Sequence, residues 1–232
     1  MMDCKKALTE TEGDVDKALD LLRKKGAATL AKRSERETSN GRVVCKTRAD
    51  GKATVMPSLC CETDFVAKND DFIAAAELLC DYGLACEAEQ GADAVSQTVL
   101  DGRAFNEVIT ETVSKTGEKT EVGDYARFSL TGDGLVSTYI HFNGKVGAML
   151  QIDTSDSSVA SAEGLQTVAS DVAMHITAVK PLALDKSGID PKVVERERAI
   201  YIEQVKDKPA QIIDKIVDGK MGKYFADNCL LQ

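Results

Sequence analysis

The chain has 232 residues, 43% hydrophobic and 29% charged, the composition of a globular protein with a sizeable core in one or two domains. A formal net charge of −9 and a pI near 4.9 argue against direct binding to nucleic acid, which draws on a basic stripe to displace counterions. No apolar run approaches the length of a membrane span and no leader pattern opens the chain, so no membrane association and a cytoplasmic or organelle-matrix location are expected.

Residues MMDCKKALTETEG predict a short helix with Met1, Cys4 and Leu8 on one face, ending at Gly13. Asp14 then caps a second helix whose Val15, Ala18, Leu19 and Leu22 share a face at i, i+3, i+4 and i+7. Arg23, Lys24 and Lys25 suit its last turn, and Gly26 is expected to stop it. The charged stretch AATLAKRSERETSN, 27–40, reads as a linker or solvated helix and a domain boundary.

RVVCKTR and KATVMPSLCC, joined through Ala49-Asp50-Gly51, predict a β-hairpin in which Pro57 marks an edge strand or a bulge. A helix capped by Asn69 or Asp70 follows, with Phe72, Ala76 and Leu79 inward. Phe105, Val108, Ile109 and Thr112 mark another, stopped near Gly117, before YARFSL returns to a strand pattern. LVSTYIHFNGKVGAMLQI is the clearest local signal, because Asn143-Gly144 suits the two positive-φ positions of a type I′ turn. That turn sets His141 opposite Val146 on one face with Tyr139, Ala148 and Leu150. Leu165, Val168, Ala169, Val172 and Ile176 then form the stripe of a long helix ending before Pro181. Asp190-Pro191 and Pro209 open two final helices with narrow apolar seams, the second carrying Ile212, Ile213, Ile216 and Val217, which predict an antiparallel helical hairpin.

Catalytic chemistry finds little support. The two histidines, His141 and His175, are joined by no pattern to a nucleophile such as Cys61, and His175 reads as a core histidine. No phosphate-cradling glycine motif occurs, and no cofactor or metal is expected. The seven cysteines, at 4, 45, 60, 61, 80, 86 and 229, lack zinc spacing and read as reduced, mostly buried thiols.

MMDCKKAL, GDVDKALDLLRKKG, CETDFVAKND, KTGE, AMHITAVKP, ERERAIYIEQ and KPAQIIDKIVDGKM together resemble, in order, the elongation factor Ts family, exchange factors for the GTPase elongation factor Tu. TDFVAKN, 63–69, is the most specific of these; Cys60 departs from the family's usual asparagine, and Pro57 from its usual apolar run. The resemblance implies an α+β fold. It divides into a ubiquitin-associated-like helical module at 1–30, a core N-subdomain at 31–133, and a core C-subdomain at 134–232 carrying the helical hairpin at about 190–226. The family's further helix ahead of the module and its further residues after the last helix make both ends incomplete by expectation. The resemblance also implies elongation factor Tu as partner, met by Thr63, Asp64, Phe65 and Val66 at an exposed tip, by Lys115, Thr116 and Gly117 in a second loop, and by His141. Val15, Leu19 and Leu22 are expected to pack internally, and the helical hairpin could pair two copies. The alternative is a helical interaction module that binds a partner without promoting exchange.

Overall fold

Local signals for helix starts and stops account for most of the element boundaries in the computed structural model, which describes residues 2–231 in two units, the first ending at Met174 and the second beginning at His175. The first unit opens with α1 (Met2–Glu10) and α2 (Val15–Lys32). Gly26 does not stop α2. A Cβ at that position would lie 1.9 Å from Ser114 Oγ and 2.7 Å from the Thr110 carbonyl oxygen, so the glycine allows close approach to a neighbouring helix instead of punctuating its own. The helix therefore takes up the first part of the expected linker. The expected inward faces are also corrected. Ala7 and Ala18 are buried, whereas Cys4, Leu8, Val15 (61%) and Leu19 (51%) are exposed; Met1 lies outside the described residues.

β1 (Asn40–Val43) and β2 (Lys46–Thr47) pair in turn along one side of β3 (Ala53–Cys61). β6 (Thr120–Ser129) takes the other side, all antiparallel, so β3 is the central strand. Pro57 thus lies on a central strand with the register shift between Pro57 and Leu59, the bulge alternative and not the edge. Between β3 and β6 run α3 (Asp64–Ala67), α4 (Asp70–Ala85), α5 (Ala92–Gln97), the short pair β4 (Val99–Leu100) and β5 (Arg103–Ala104), and α6 (Phe105–Thr116). The predicted inward residues Phe72, Ala76, Leu79, Phe105, Val108, Ile109 and Thr112 are all buried, joining Val55 and Leu59 in the core under the sheet.

β7 (Gly134–Ile140) and β8 (Gly147–Asp153) form the predicted hairpin, with Tyr139 opposite Ala148 and the His141 N–H donating to the Val146 carbonyl. Its turn is not type I′. Of the Asn143-Gly144 pair only Gly144 takes positive φ, at 67°, and its N–H closes a turn onto the His141 carbonyl at 2.8 Å. The Asn143 side chain accepts the Lys145 N–H at 2.9 Å, a local bond that competes with the left-handed conformation at Asn143. Phe142 consequently becomes a turn corner. After α7 (Ser157–Ala160) comes α8 (Glu163–Val179), which buries Ala169 and Ala173 but exposes Val168 and His175. His175 stands two positions beyond Ala173, about 200° around the helix, so it is not a core histidine.

In the second unit α9 (Pro191–Gln204) and α10 (Ala210–Asn228) pack together through Val205, Val217 and Met221, with Val194, Tyr201, Ile213 and Ile216 beside them; Ile212 is exposed. Asp190 caps α9 by accepting the Lys192 N–H, as its place before Pro191 predicts. The extended residues 182–184 pair with 228–231, bridged in parallel at Ala183 and Cys229.

Candidate functional site

The junction between β3 and α4 is built from two helix caps in succession. Thr63, with extended backbone, caps the single turn α3 by accepting the Val66 N–H at 3.4 Å. Asn69 caps α4 by accepting the N–H groups of Asp71 and Phe72. Val66 and Ala67 face the core, and Phe65 between the caps is 82% exposed. An exposed phenylalanine on a turn held at both ends is unusual, since isolated aromatics are ordinarily buried. Asp64 pairs with Lys68 at 2.8 Å, and the hydrogen bond from Lys68 holds its carboxyl below the usual aspartate range.

The loop ending α6 lies against this tip. Gly117, at φ 73°, gives the helix its left-handed end, and its N–H donates to the Val113 carbonyl. Lys115 bonds Asp71 on α4 at 3.1 Å and Glu111 at 3.1 Å, and those two carboxylates raise its affinity for its proton. The Thr116 hydroxyl donates back to the Thr112 carbonyl. Glu118, the next residue, accepts the Thr63 N–H at 3.0 Å and the Thr63 hydroxyl at 2.7 Å. Thr63 and the 115–117 loop are thereby brought together.

His141 sits apart from these two loops, in the turn of the β7–β8 hairpin. Its Nδ1 lies 3.1 Å from the Tyr139 hydroxyl, and its ring centre is 4.4 Å from that of Phe142. Phe142 is 92% exposed, and the bond from Gly144 to His141 that makes it a corner residue has no compositional signature. The hairpin turn is nonetheless linked to the base of the tip. The Gly144 carbonyl accepts the Val43 N–H at 2.7 Å, Lys145 Nζ donates to Asn40 Oδ1 at 3.1 Å, and Asn40 Nδ2 donates to the Glu62 carbonyl at 3.1 Å.

Cys61, weighed as a nucleophile, is fully buried at the end of β3, and burial pushes its thiol up to about 12. A thiol so disfavoured as thiolate is an inert packing group at neutral pH. Among the described residues no cluster of histidine, cysteine and carboxylate side chains could hold a metal ion, and no helix is long and apolar enough to cross a membrane.

These features belong to an α+β protein with an exposed ring on a doubly capped turn, a neighbouring polar loop and a second exposed ring on a hairpin. A family model described as Elongation factor TS matches residues 62–232. Elongation factor Ts of Desulfovibrio desulfuricans is 40% identical over the whole of this chain and 80% of its own length. That of a Clostridium botulinum strain is 38% identical over 76% of its length, and that of a Nitratiruptor species is 36% identical over 75%. The class is thus that of translation elongation factors. The chain belongs to the elongation factor Ts family.

Proposed function

We propose that this chain binds elongation factor Tu and promotes GDP release, the Asp64–Phe65 tip entering the partner near its magnesium and phosphate site. The observation that carries this reading is Phe65, held outward by flanking caps while its neighbours Val66 and Ala67 face the core. The Lys115–Gly117 loop and His141 supply further contacts, and the residue ranges 1–30, 31–133 and 134–232 serve as helical module, N-subdomain and C-subdomain. The factor acts in the cytoplasm, performs no covalent chemistry and binds neither nucleic acid nor membrane.

The physics is a coupling of two binding equilibria. A protein that favours the nucleotide-free GTPase over the nucleotide-bound form must weaken nucleotide binding by the same factor. Burying one phenylalanine contributes about 1.5–3 kcal/mol, so Phe65 can shift the balance by roughly one to two powers of ten. Larger shifts draw on the rest of the interface.

The test is release of a fluorescent GDP analogue from elongation factor Tu. The intact chain is expected to accelerate it, and Phe65→Ala to reduce the maximal rate by about 10- to 100-fold with an unchanged melting curve. Binding without acceleration by the intact chain would leave the interaction-module reading in its place. Wild-type release from Phe65→Ala would remove the ring from the mechanism.

A further inference from the structure

The β3–β6 ladder ends at the pair Cys61 and Thr120. Counting onward, the antiparallel register sets Glu62 opposite Lys119 and Thr63 opposite Glu118. At those two positions side-chain carboxylates take the place of backbone carbonyls. Glu62 Oε1 accepts the Lys119 N–H at 2.7 Å, and Glu118 Oε2 accepts the Thr63 N–H at 3.0 Å. The two bonds cross between the strand ends in opposite senses. Each carboxylate is further occupied: Glu62 by Arg33 at 2.9 Å and Arg36 at 2.8 Å, Glu118 by the Thr63 hydroxyl at 2.7 Å. Because that hydroxyl gives its proton to Glu118, its lone pairs are free to cap α3 through the Val66 N–H. A carboxylate reaches further than a carbonyl, so the strand ends can diverge into separate loops while remaining tied.

Resting on the exchange reading above, we infer that Glu62 and Glu118 are positioning residues whose reciprocal brackets pre-organise the Phe65 tip against the Lys115–Gly117 loop. Neither carboxylate need touch the partner. Their effect on release passes through Phe65, because an ordered tip does not have to be frozen when it inserts. Losing one bracket should therefore slow the step at which the ring is seated while leaving initial docking, carried by the wider surface, nearly as it was.

The experiment is a double-mutant cycle in the full chain, read by stopped-flow release of the GDP analogue from elongation factor Tu. Glu118→Ala is expected to lower the maximal rate about tenfold, the equivalent of one charge-assisted hydrogen bond, with half-saturation moved by less than about twofold. Glu118→Gln, which keeps an acceptor for the Thr63 N–H, should recover most of the rate. The variant carrying both Glu118→Ala and Phe65→Ala should be no slower than Phe65→Ala alone. Additive losses, or wild-type release from Glu118→Ala, would overturn the inference. Glu118→Asp, shorter by one methylene, gives the same pattern at smaller amplitude should alanine impair folding. Amide exchange at residues 63–67 in the free protein supplies a readout independent of the partner. It should quicken about tenfold in Glu118→Ala, and unchanged protection sinks the brackets even if the intact chain fails to release nucleotide, a failure that would count against the exchange reading alone.

Discussion

Glu62 shows how one side chain serves two neighbourhoods. It directly precedes the capped tip, yet its carboxylate is held by Arg33, Arg36 and the Lys119 N–H. Burial by itself would raise its affinity for a proton; the Lys119 N–H, Arg36 and Arg33 outweigh that and hold it at about 2. The sign of the linkage follows. A carboxyl depressed in the folded state contributes stability that is complete above the unfolded value near 4.5 and disappears as pH falls toward 2. In denaturant titrations Glu62→Gln should be less stable than wild type at pH 7, and the gap should shrink steadily as pH falls from about 4.5 toward 2; a gap of constant size across that range would remove the linkage. Nothing in the composition signals this site. Its partners lie 29, 26 and 57 residues away, separations that a local pattern does not report. Phe65 was legible for a different reason: residue pattern alone favours a buried ring at a strand end, and the resemblance through TDFVAKN pointed it outward.

Among the elements, periodicity and capping chemistry were informative wherever the helix met its own core. The α4 and α6 stripes, the Asn69 and Asp190 caps and the Gly117 stop could all be read because each depends on residues within a turn or two. Helix α2 was misread at Gly26 because a glycine that ends a helix and one that admits a neighbouring helix look alike in a single sequence. That difference has a measurable consequence. Replacing an interior helical glycine by alanine ordinarily stabilises by up to about 1 kcal/mol. Gly26→Ala should instead destabilise by about 1–3 kcal/mol, since the new methyl meets the Thr110 carbonyl on α6. Removing the Ser114 hydroxyl should not restore the loss, and a melting temperature raised by Gly26→Ala would refute the close-approach account. The β7–β8 turn failed in the same way: Asn143-Gly144 marked the hairpin and its register correctly, while the conformation of the corner was set by the bond from the Lys145 N–H to the Asn143 side chain and the bond from the Gly144 N–H to the His141 carbonyl.

At the level of the molecule, the two units differ in how much core they own. The first buries Val55, Leu59, Phe72, Leu79, Phe105 and Val113 under a four-stranded sheet, whereas the α9–α10 seam is centred on Val205, Val217 and Met221. A small core gives little margin over chain entropy, so amides of α9 and α10 should exchange at least about tenfold faster than those of α4 and α6, and heating should release them first. Equal protection in both units would contradict this. The α+β class and the helical hairpin were legible from element order, because they need only the succession of local patterns; the ties among tip, loop and turn were not, because they exist only after the sheet has closed. The bond from Thr63 to Glu118 spans 55 residues. During synthesis the aromatic tip leaves the ribosome well before the carboxylate that steadies it. A half-made chain therefore carries a slack turn, which acquires its fixed shape only when the far strand has been delivered.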